Sequence, residues 1–189
     1  MRERRPEDWR TDLAQRHALE SRVERAFERH SGLTLLKTST ASTDKLDYQL
    51  LGPGEHLLQV ELKTKRQTYK GWDRYRPDIP ERDLFILDEL ALRRIVEAGR
   101  YAFLLAFDMN TPRWCLWTTA DLVLTSKERV ARRLATGEPS LKGKVLISLT
   151  EQCLVLRTME RAIDAMVEAT RQMDARWNDI SPWPRGVGA

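Results

Sequence analysis

The spacing of apolar residues predicts four helices along the chain. They are predicted over 6–30, 84–98, 125–137 and 158–178. In the first helix Pro6 suits the first turn, and Gly32 lies just past the end. Gly99 provides a stop for the second helix. The third helix rests on Thr125 and Glu128, whose spacing is that of a capping box.

Seven short runs between and after these helices have the composition of strands. They are predicted over 33–38, 46–51, 57–64, 101–107, 114–118, 145–148 and 153–156. The turn residues 52–54 join the second and third strands into a hairpin. The run 101–107 is almost continuously apolar, as in a strand covered on both faces. The order helix, three strands, helix, strand predicts an α/β fold with helices on a mixed central sheet.

Length and composition limit the class of protein. The chain has 189 residues, of which 41% are hydrophobic and 32% are charged. We expect a single domain over 1–180, with a core over 6–108, a C-terminal extension over 109–180 and a flexible tail over 181–189. No apolar run approaches the roughly 20 residues that span a bilayer, which excludes a membrane protein. The net charge of +4 permits a polyanionic partner.

The ends of the chain and its cysteines indicate a cytoplasmic protein. The first ten residues are charged and no apolar segment follows them, so we expect no secretory signal. Cys115 and Cys153 both lie in apolar runs and are expected to be buried thiols in a reducing compartment. No glycine-rich phosphate loop is present in the sequence, so no nucleotide cofactor is expected.

Two carboxylates stand in strands where acidic residues are depleted. A period of two along 57–64 places Glu61 and Lys63 on one face and Leu62 on the other. A solvated strand would show the same alternation. However, Asp47 opens the preceding strand and can lie beside Glu61 across the hairpin. Two neighbouring carboxylates repel each other unless a positive charge lies between them.

A third carboxylate interrupts the apolar stripe of the first helix. At 100° per residue, Glu20 falls on the side that carries Val23 and Phe27, and Glu24 lies farther round the helix as the alternative. A carboxylate on the core side of a helix needs a partner. A metal ion is the simplest partner that serves all three acids.

Asp47 followed by Glu61-Leu62-Lys63 resembles the D…(D/E)-x-K motif of the PD-(D/E)XK nuclease superfamily. This restriction-endonuclease-like fold, which includes the archaeal Holliday junction resolvases, has an αβββαβ core, and the elements predicted over 6–107 follow that order. The Glu20 segment is similar to the family's first-helix glutamate. Leu46 stands where the motif has proline.

The resemblance implies a metal-dependent DNA endonuclease acting on duplex or branched DNA. Magnesium or manganese would be held by the carboxylates of Asp47 and Glu61, the carbonyl of Leu62, and Glu20. Lys63 would orient the attacking water or neutralise developing charge. The alternatives are an inactive nucleic-acid-binding or scaffolding module of the same fold, and an unrelated α/β partner-binding protein in which Glu61 and Lys63 form a surface ion pair.

A basic segment leaves the proposed catalytic strand directly. Over 61–76, six basic and two acidic side chains give a local charge of +4. Basic residues alternating with Tyr69, Trp72 and Tyr75 favour phosphate contacts and base stacking. The alternative is an ordinary surface loop. The predicted nucleic-acid contacts are Lys65, Arg66, Gln67, Lys70, Trp72, Arg74 and Arg76.

The last predicted helix carries a regular row of methionines. Met159, Met166 and Met173 recur every seven residues, which is typical of a core or of a dimer seam. A homodimer would bring two active sites to the two strands of a DNA substrate.

Overall fold

A computed structural model describes residues 6–38, 46–66, 69, 71–130 and 143–180. In these residues the chain forms a mixed α/β fold. The helices are α1 (Pro6–Arg29), α2 (Glu89–Glu97), α3 (Thr119–Leu124) and α4 (Met159–Ile180). The strands are β1 (Thr34–Thr38), β2 (Tyr48–Leu51), β3 (Leu57–Lys65), β4 (Leu84–Asp88), β5 (Ala102–Asp108), β6 (Arg113–Thr118), β7 (Glu128–Val130), β8 (Lys144–Ser148) and β9 (Leu154–Leu156).

Six strands form the main sheet, in the order β1-β2-β3-β5-β6-β9. β3 and β5 pair in parallel, while the other neighbouring strands in this sheet are antiparallel. A second, antiparallel sheet has the order β4-β8-β7. Parallel neighbours need a crossover connection, and α2 lies in the connection between β3 and β5. The predicted order of helix, three strands, helix and strand is therefore confirmed, with β4 inserted before α2.

The two faces of the main sheet are covered by different elements. One face packs against α1 and α4, whose buried side chains include Phe27 and Ile163, and this core contains Leu58, Val60 and Leu62 of β3. The other face carries Leu104 and packs against α2 and the second sheet. The alternation along β3 therefore directs Glu61 toward the α2 side, since Glu61 pairs with Leu104 in the β3–β5 register.

The helix predicted over 84–98 is wrong in its first part. Leu84–Asp88 is strand β4, and the helix begins only at Glu89. The apolar residues of this run fit either period, and the tertiary structure decides between them. β4 pairs antiparallel with β8, and Leu84 and Leu87 become buried between the sheet and its neighbours.

The helix predicted from Thr125 is also wrong, because Glu128–Val130 forms strand β7. The capping box lies seven residues earlier. The Thr118 side chain accepts from the Asp121 amide, and the Asp121 carboxylate accepts from the Thr118 amide, at the start of α3. The Thr125 hydroxyl donates to the Asp121 carbonyl at 2.7 Å and so closes α3. The rest of the predicted helix, 131–137, lies outside the described residues.

Other predictions concern the ends of the chain and its thiols. The tail 181–189 lies outside the described residues, and the division into core and extension stays a prediction. Cys115 is buried and Cys153 is partly buried. Both thiols donate to the carbonyl of Leu149, at 3.7 and 2.9 Å respectively. Of the helices described here, none is long and apolar enough to cross a bilayer.

Candidate active site

Asp47 and Glu61 lie close together at one end of the β2–β3 hairpin. Asp47 comes directly before Tyr48 and Glu61 directly after Val60, which is the partner of Tyr48, and the charge of Asp47 acts on the Glu61 carboxyl. The Asp47 Oδ2 atom accepts a hydrogen bond from the backbone amide of Leu62 at 2.8 Å. Because β2 begins only at Tyr48, the Asp47 side chain supplies the hydrogen-bond acceptor for this amide. The hairpin thus brings together the two acids that the sequence predicts as neighbours.

Glu61 is a buried carboxylate, with 5% of its surface exposed. Burial raises its pKa, and the negative charge of Asp47 raises that pKa further. Lys63 acts in the opposite direction, because its ammonium forms an ion pair with the Glu61 Oε1 atom. The burial of Glu61 argues against a solvated strand face, and therefore against a simple surface ion pair.

The α1 carboxylates line a cavity together with Asp47. This cavity has a volume of about 450 Å³, and both Glu20 and Glu24 contribute to its wall. The Arg16 Nε atom donates to Glu20 at 2.6 Å, and the His17 ring lies 3.3 Å from the other Glu20 oxygen. Both candidate helix acids thus lie at the cavity, with Glu20 held by two neighbours one turn earlier on α1.

A second, smaller cavity adjoins the first at Arg16 and Glu20. It has a volume of about 150 Å³, and its wall also includes Leu62, Lys63 and Arg66. Arg16 and Glu20 therefore connect the side of the site that carries Asp47 with the side that carries Lys63.

Arg16 is the site residue that the sequence analysis missed. Its hydrogen bond to Glu20 raises its pKa, and the charges of Asp47 and Glu61 add to that effect. The guanidinium therefore lies within the field of the three acids predicted to hold a metal ion. Its position four residues before Glu20 on a helix was the available signal, because residues at that spacing are neighbours on the helix surface.

The three predicted acids do not form a ready-made cluster. Within 6–38, 46–66, 69, 71–130 and 143–180, no group of three or more His, Cys, Asp and Glu side chains is placed to hold a metal ion. Asp47 and Glu61 remain two neighbouring oxygen donors beside Leu62. Magnesium requires only one or two protein carboxylates and keeps several of its waters, so this pair fits such an ion. The raised pKa of Glu61 also indicates a carboxylate that lacks full charge compensation.

Lys65 is not a surface residue, contrary to its predicted contact with nucleic acid. Its side chain is 0% exposed. Its ammonium donates to the carbonyl of Arg82 and lies 5.8 Å from the ring centre of Tyr69. Burial lowers its pKa, while the charge of Asp108, its partner in the β3–β5 register, works against that shift. The Lys65 side chain therefore belongs to the buried interior of the fold.

Arg76 is also buried, contrary to its predicted contact with nucleic acid. It is 6% exposed, and its guanidinium donates to both Asp78 oxygens and to the carbonyl of Ser126. Trp72 packs against a small apolar cluster that contains Ile79. These partners hold both side chains against the protein.

The remaining residues of the basic segment divide into two groups. Arg66 is partly exposed at the smaller cavity, and Arg74 is exposed, with its guanidinium 4.7 Å from the ring centre of Tyr75. Gln67 and Lys70 lie outside the described residues. Arg66 and Arg74 are the predicted contacts that the structure leaves accessible at the surface.

A nuclease from a fusselovirus has a solved structure that resembles this chain. The two proteins share 12% sequence identity, the match covers 92% of this chain and 99% of that one, and the TM-score is 0.44. No protein-family model and no curated protein matches the sequence. At this level of similarity the likeness assigns neither a family nor an activity, so any function has to be argued from the residues of the site.

Proposed function

We propose that the protein is a metal-dependent DNA endonuclease. The observation that carries this proposal is the buried carboxylate of Glu61, which lies close to Asp47 and forms an ion pair with Lys63, a residue that lines a cavity. A buried acid next to another acid is destabilising unless cations offset the charges. An arrangement of this kind is typical of a functional site.

Asp47 and Glu61 would hold a magnesium or manganese ion, with the Leu62 carbonyl and Glu20 as further candidate ligands. Hard divalent cations prefer oxygen donors of this kind. When bound, the ion would supply acidification of a water molecule and neutralisation of charge on the scissile phosphate. The hydrogen bond from the Leu62 amide holds the Asp47 carboxylate against the strand that carries Glu61.

Lys63 would act on the substrate side of the pair. Its side chain is 32% exposed, and the cavity that it lines with Arg66 and Thr64 is open to solvent-borne ligands. An ammonium there can orient a nucleophilic water or contact a phosphate oxygen. Arg66 supplies a second positive charge for the phosphate backbone.

An inactive nucleic-acid-binding or scaffolding module of the same fold is the second candidate. The observation in its favour is that two of the three candidate acids already have a cationic neighbour. Arg16 bonds to Glu20, and Lys63 pairs with Glu61. A chain with this internal compensation can fold without a metal ion.

DNA cleavage assays separate the two candidates. Supercoiled and four-way-junction DNA are incubated with the protein in Mg²⁺, and then in EDTA. The endonuclease cuts one of these substrates only in Mg²⁺. Asp47→Asn, Glu61→Gln and Lys63→Met should abolish cutting and retain DNA binding. Glu168→Gln is the matched control, since Glu168 is an exposed acid on α4. DNA binding without cutting by the wild-type protein would favour the inactive module.

A further inference from the structure

A basic groove runs between the second half of α1 and the start of α4. It encloses a volume of about 440 Å³. Its wall is formed by Arg22, Arg25, Ala26, Arg29, His30, Met159, Glu160 and Ile163. Three arginines thus stand over a floor that includes two apolar side chains of α4.

The three arginines form one stripe on α1. The spacings of three and four residues place Arg22, Arg25 and Arg29 within about 60° of one another around the helix. All three side chains are exposed. The Arg25 Nε atom donates to the Ser21 carbonyl at 3.0 Å. Within the described part of the chain, neither Arg22 nor Arg29 forms an ion pair, so their charges are available to an external anion.

The acids near the groove compensate this charge only in part. Glu160 lies in the first turn of α4, where a carboxylate interacts favourably with the helix dipole. Asp164 lies 3.2 Å from the His30 ring. The lining therefore carries three full positive charges against the one negative charge of Glu160.

The groove and the candidate active site lie on opposite flanks of α1. At 100° per residue, Glu20 lies about 140–180° around the helix from the three arginines, and Glu24 lies about 100–160° from them. One flank thus carries the acidic cavity, which favours cations, and the other carries the basic groove, which favours anions. A long polyanion that crosses the exposed face of α1 can contact both.

We propose that this groove binds the sugar–phosphate backbone of the DNA on which the active site acts, an inference that rests on the proposed function for the identity of the polyanion. Arg22 and Arg29 are separated by about 10 Å along the helix axis. One DNA strand carries a phosphate about every 3.4 Å of axis, so about three phosphates face the stripe. Guanidinium groups match phosphate oxygens in paired hydrogen bonds.

The burial of the apolar residues beside the stripe favours DNA over an anionic membrane. Helices that bind membrane surfaces present their apolar face outward, next to the basic residues. Here the apolar residues Met159 and Ile163 are buried, with the arginines above them. The exposed arginines can contact a phosphate backbone, whereas Met159 and Ile163 are too deeply buried to insert into a bilayer.

Binding measurements in EDTA test the inference without cleavage. Fluorescence anisotropy of a labelled DNA duplex is followed over a range of salt concentrations. The variant is the triple substitution Arg22→Gln, Arg25→Gln and Arg29→Gln. The control is Arg157→Gln, Arg171→Gln and Arg176→Gln, which removes the same charge from exposed positions elsewhere. The lysine triple Arg22→Lys, Arg25→Lys and Arg29→Lys retains the charge.

We expect the glutamine triple at the groove to weaken binding by about ten-fold or more and to lower the slope of log K against log salt by about 2–3 units. The lysine triple and the control should keep a slope close to that of wild type. An unchanged slope in a folded glutamine triple overturns the inference. So does loss of binding to phosphatidylserine vesicles together with unchanged DNA binding.

The outcomes for the groove and for the proposed function are separable. Asp47→Asn should lose cleavage and keep the wild-type salt slope, because Asp47 lies on the other flank of α1. A wild-type protein that binds DNA through the groove but cuts nothing in Mg²⁺ refutes the endonuclease and supports the groove. Cleavage with an unaltered slope in the glutamine triple refutes the groove and supports the endonuclease.

Discussion

The carboxylate of Asp47 accepts a hydrogen bond from the backbone amide of Leu62 at 2.8 Å, and the residue next to that amide is Glu61. The bond fixes the first acid of the pair relative to the strand that carries the second. Asp47 therefore has a structural contribution, through the hydrogen bond, and an electrostatic one, through its effect on the pKa of Glu61.

Two substitutions of Asp47 should separate these contributions. Asparagine keeps an acceptor oxygen for Leu62 but removes the charge, whereas alanine removes both. We expect Asp47→Ala to lower the free energy of unfolding by about 1 kcal/mol, and Asp47→Asn to cost much less. Both should lose cleavage. Urea denaturation and a DNA cleavage assay test this, and equal destabilisation by the two variants would argue against the hydrogen bond.

Asp108 should make the free energy of unfolding depend on pH in the acidic range. Burial works to raise its pKa, but hydrogen bonds from Thr111 and Asn110 and the charge of Lys65 outweigh burial, so that the pKa is lowered. Because the pKa of Asp108 is lower in the folded state, its ionised carboxylate stabilises the fold at pH values above its ordinary pKa of 3.8. This stabilisation is lost as the pH falls toward the lower pKa of the folded state. Asp108→Asn should cost about 3 kcal/mol at pH 7. Urea denaturation from pH 7 to pH 3 should show that difference shrinking below about pH 4, and a constant difference would contradict the assignment.

Lys65 and Arg66 are adjacent in sequence and should behave oppositely. Lys65→Met removes a buried ammonium that donates to the backbone carbonyls of Glu81 and Arg82 and leaves those acceptors without this donor, so we expect it to lower the free energy of unfolding by about 2 kcal/mol. DNA affinity of the folded fraction should remain unchanged. Arg66→Gln should weaken DNA binding and lower its salt slope by about one unit, with little effect on stability. Thermal unfolding and fluorescence anisotropy measure the two effects, and a reversal of the two patterns would restore Lys65 to the interface.

Arg16 should compete with a metal ion at the site. Its guanidinium lies in the field of Asp47 and Glu61, so its removal increases the attraction of that pair for a divalent cation. We expect Arg16→Gln to bind Mn²⁺ a few-fold more tightly than wild type. Arg22→Gln on the opposite flank of α1 is the control. Weaker Mn²⁺ binding by Arg16→Gln than by this control would show that Arg16 supports the site instead.

The closeness of Asp47 and Glu61 could be predicted because it depends on local rules. The period of two along β3 determines the face on which Glu61 lies, and the short hairpin brings the residue before Tyr48 near the residue after Val60. Lys65 has the same parity as Lys63, but the segment that contains Arg82 covers the end of β3 and buries it. That contact joins residues 17 positions apart, so no local pattern in the sequence reports it.

The secondary structure of β4 also depends on a long-range contact that the local sequence does not show. The spacing of Leu84 and Leu87 suits a helix. The unbroken apolar run 84–87 also suits a strand that is buried on both faces, and only pairing with β8 selects the strand. Arg16 could not be predicted for a different reason. A pattern of metal ligands points to acidic residues, while the residue that offsets their charge is basic and lies on the exposed side of α1.

Calorimetric titration of Mn²⁺ tests most directly whether Asp47 and Glu61 form one cation site. Wild type is compared with Asp47→Asn, Glu61→Gln and the surface control Glu168→Gln. We expect wild type and the control to bind the ion equally, and each site variant to bind it about ten-fold or more weakly. The same affinity in all four proteins, or no binding by wild type, would contradict a metal site at this pair of strands.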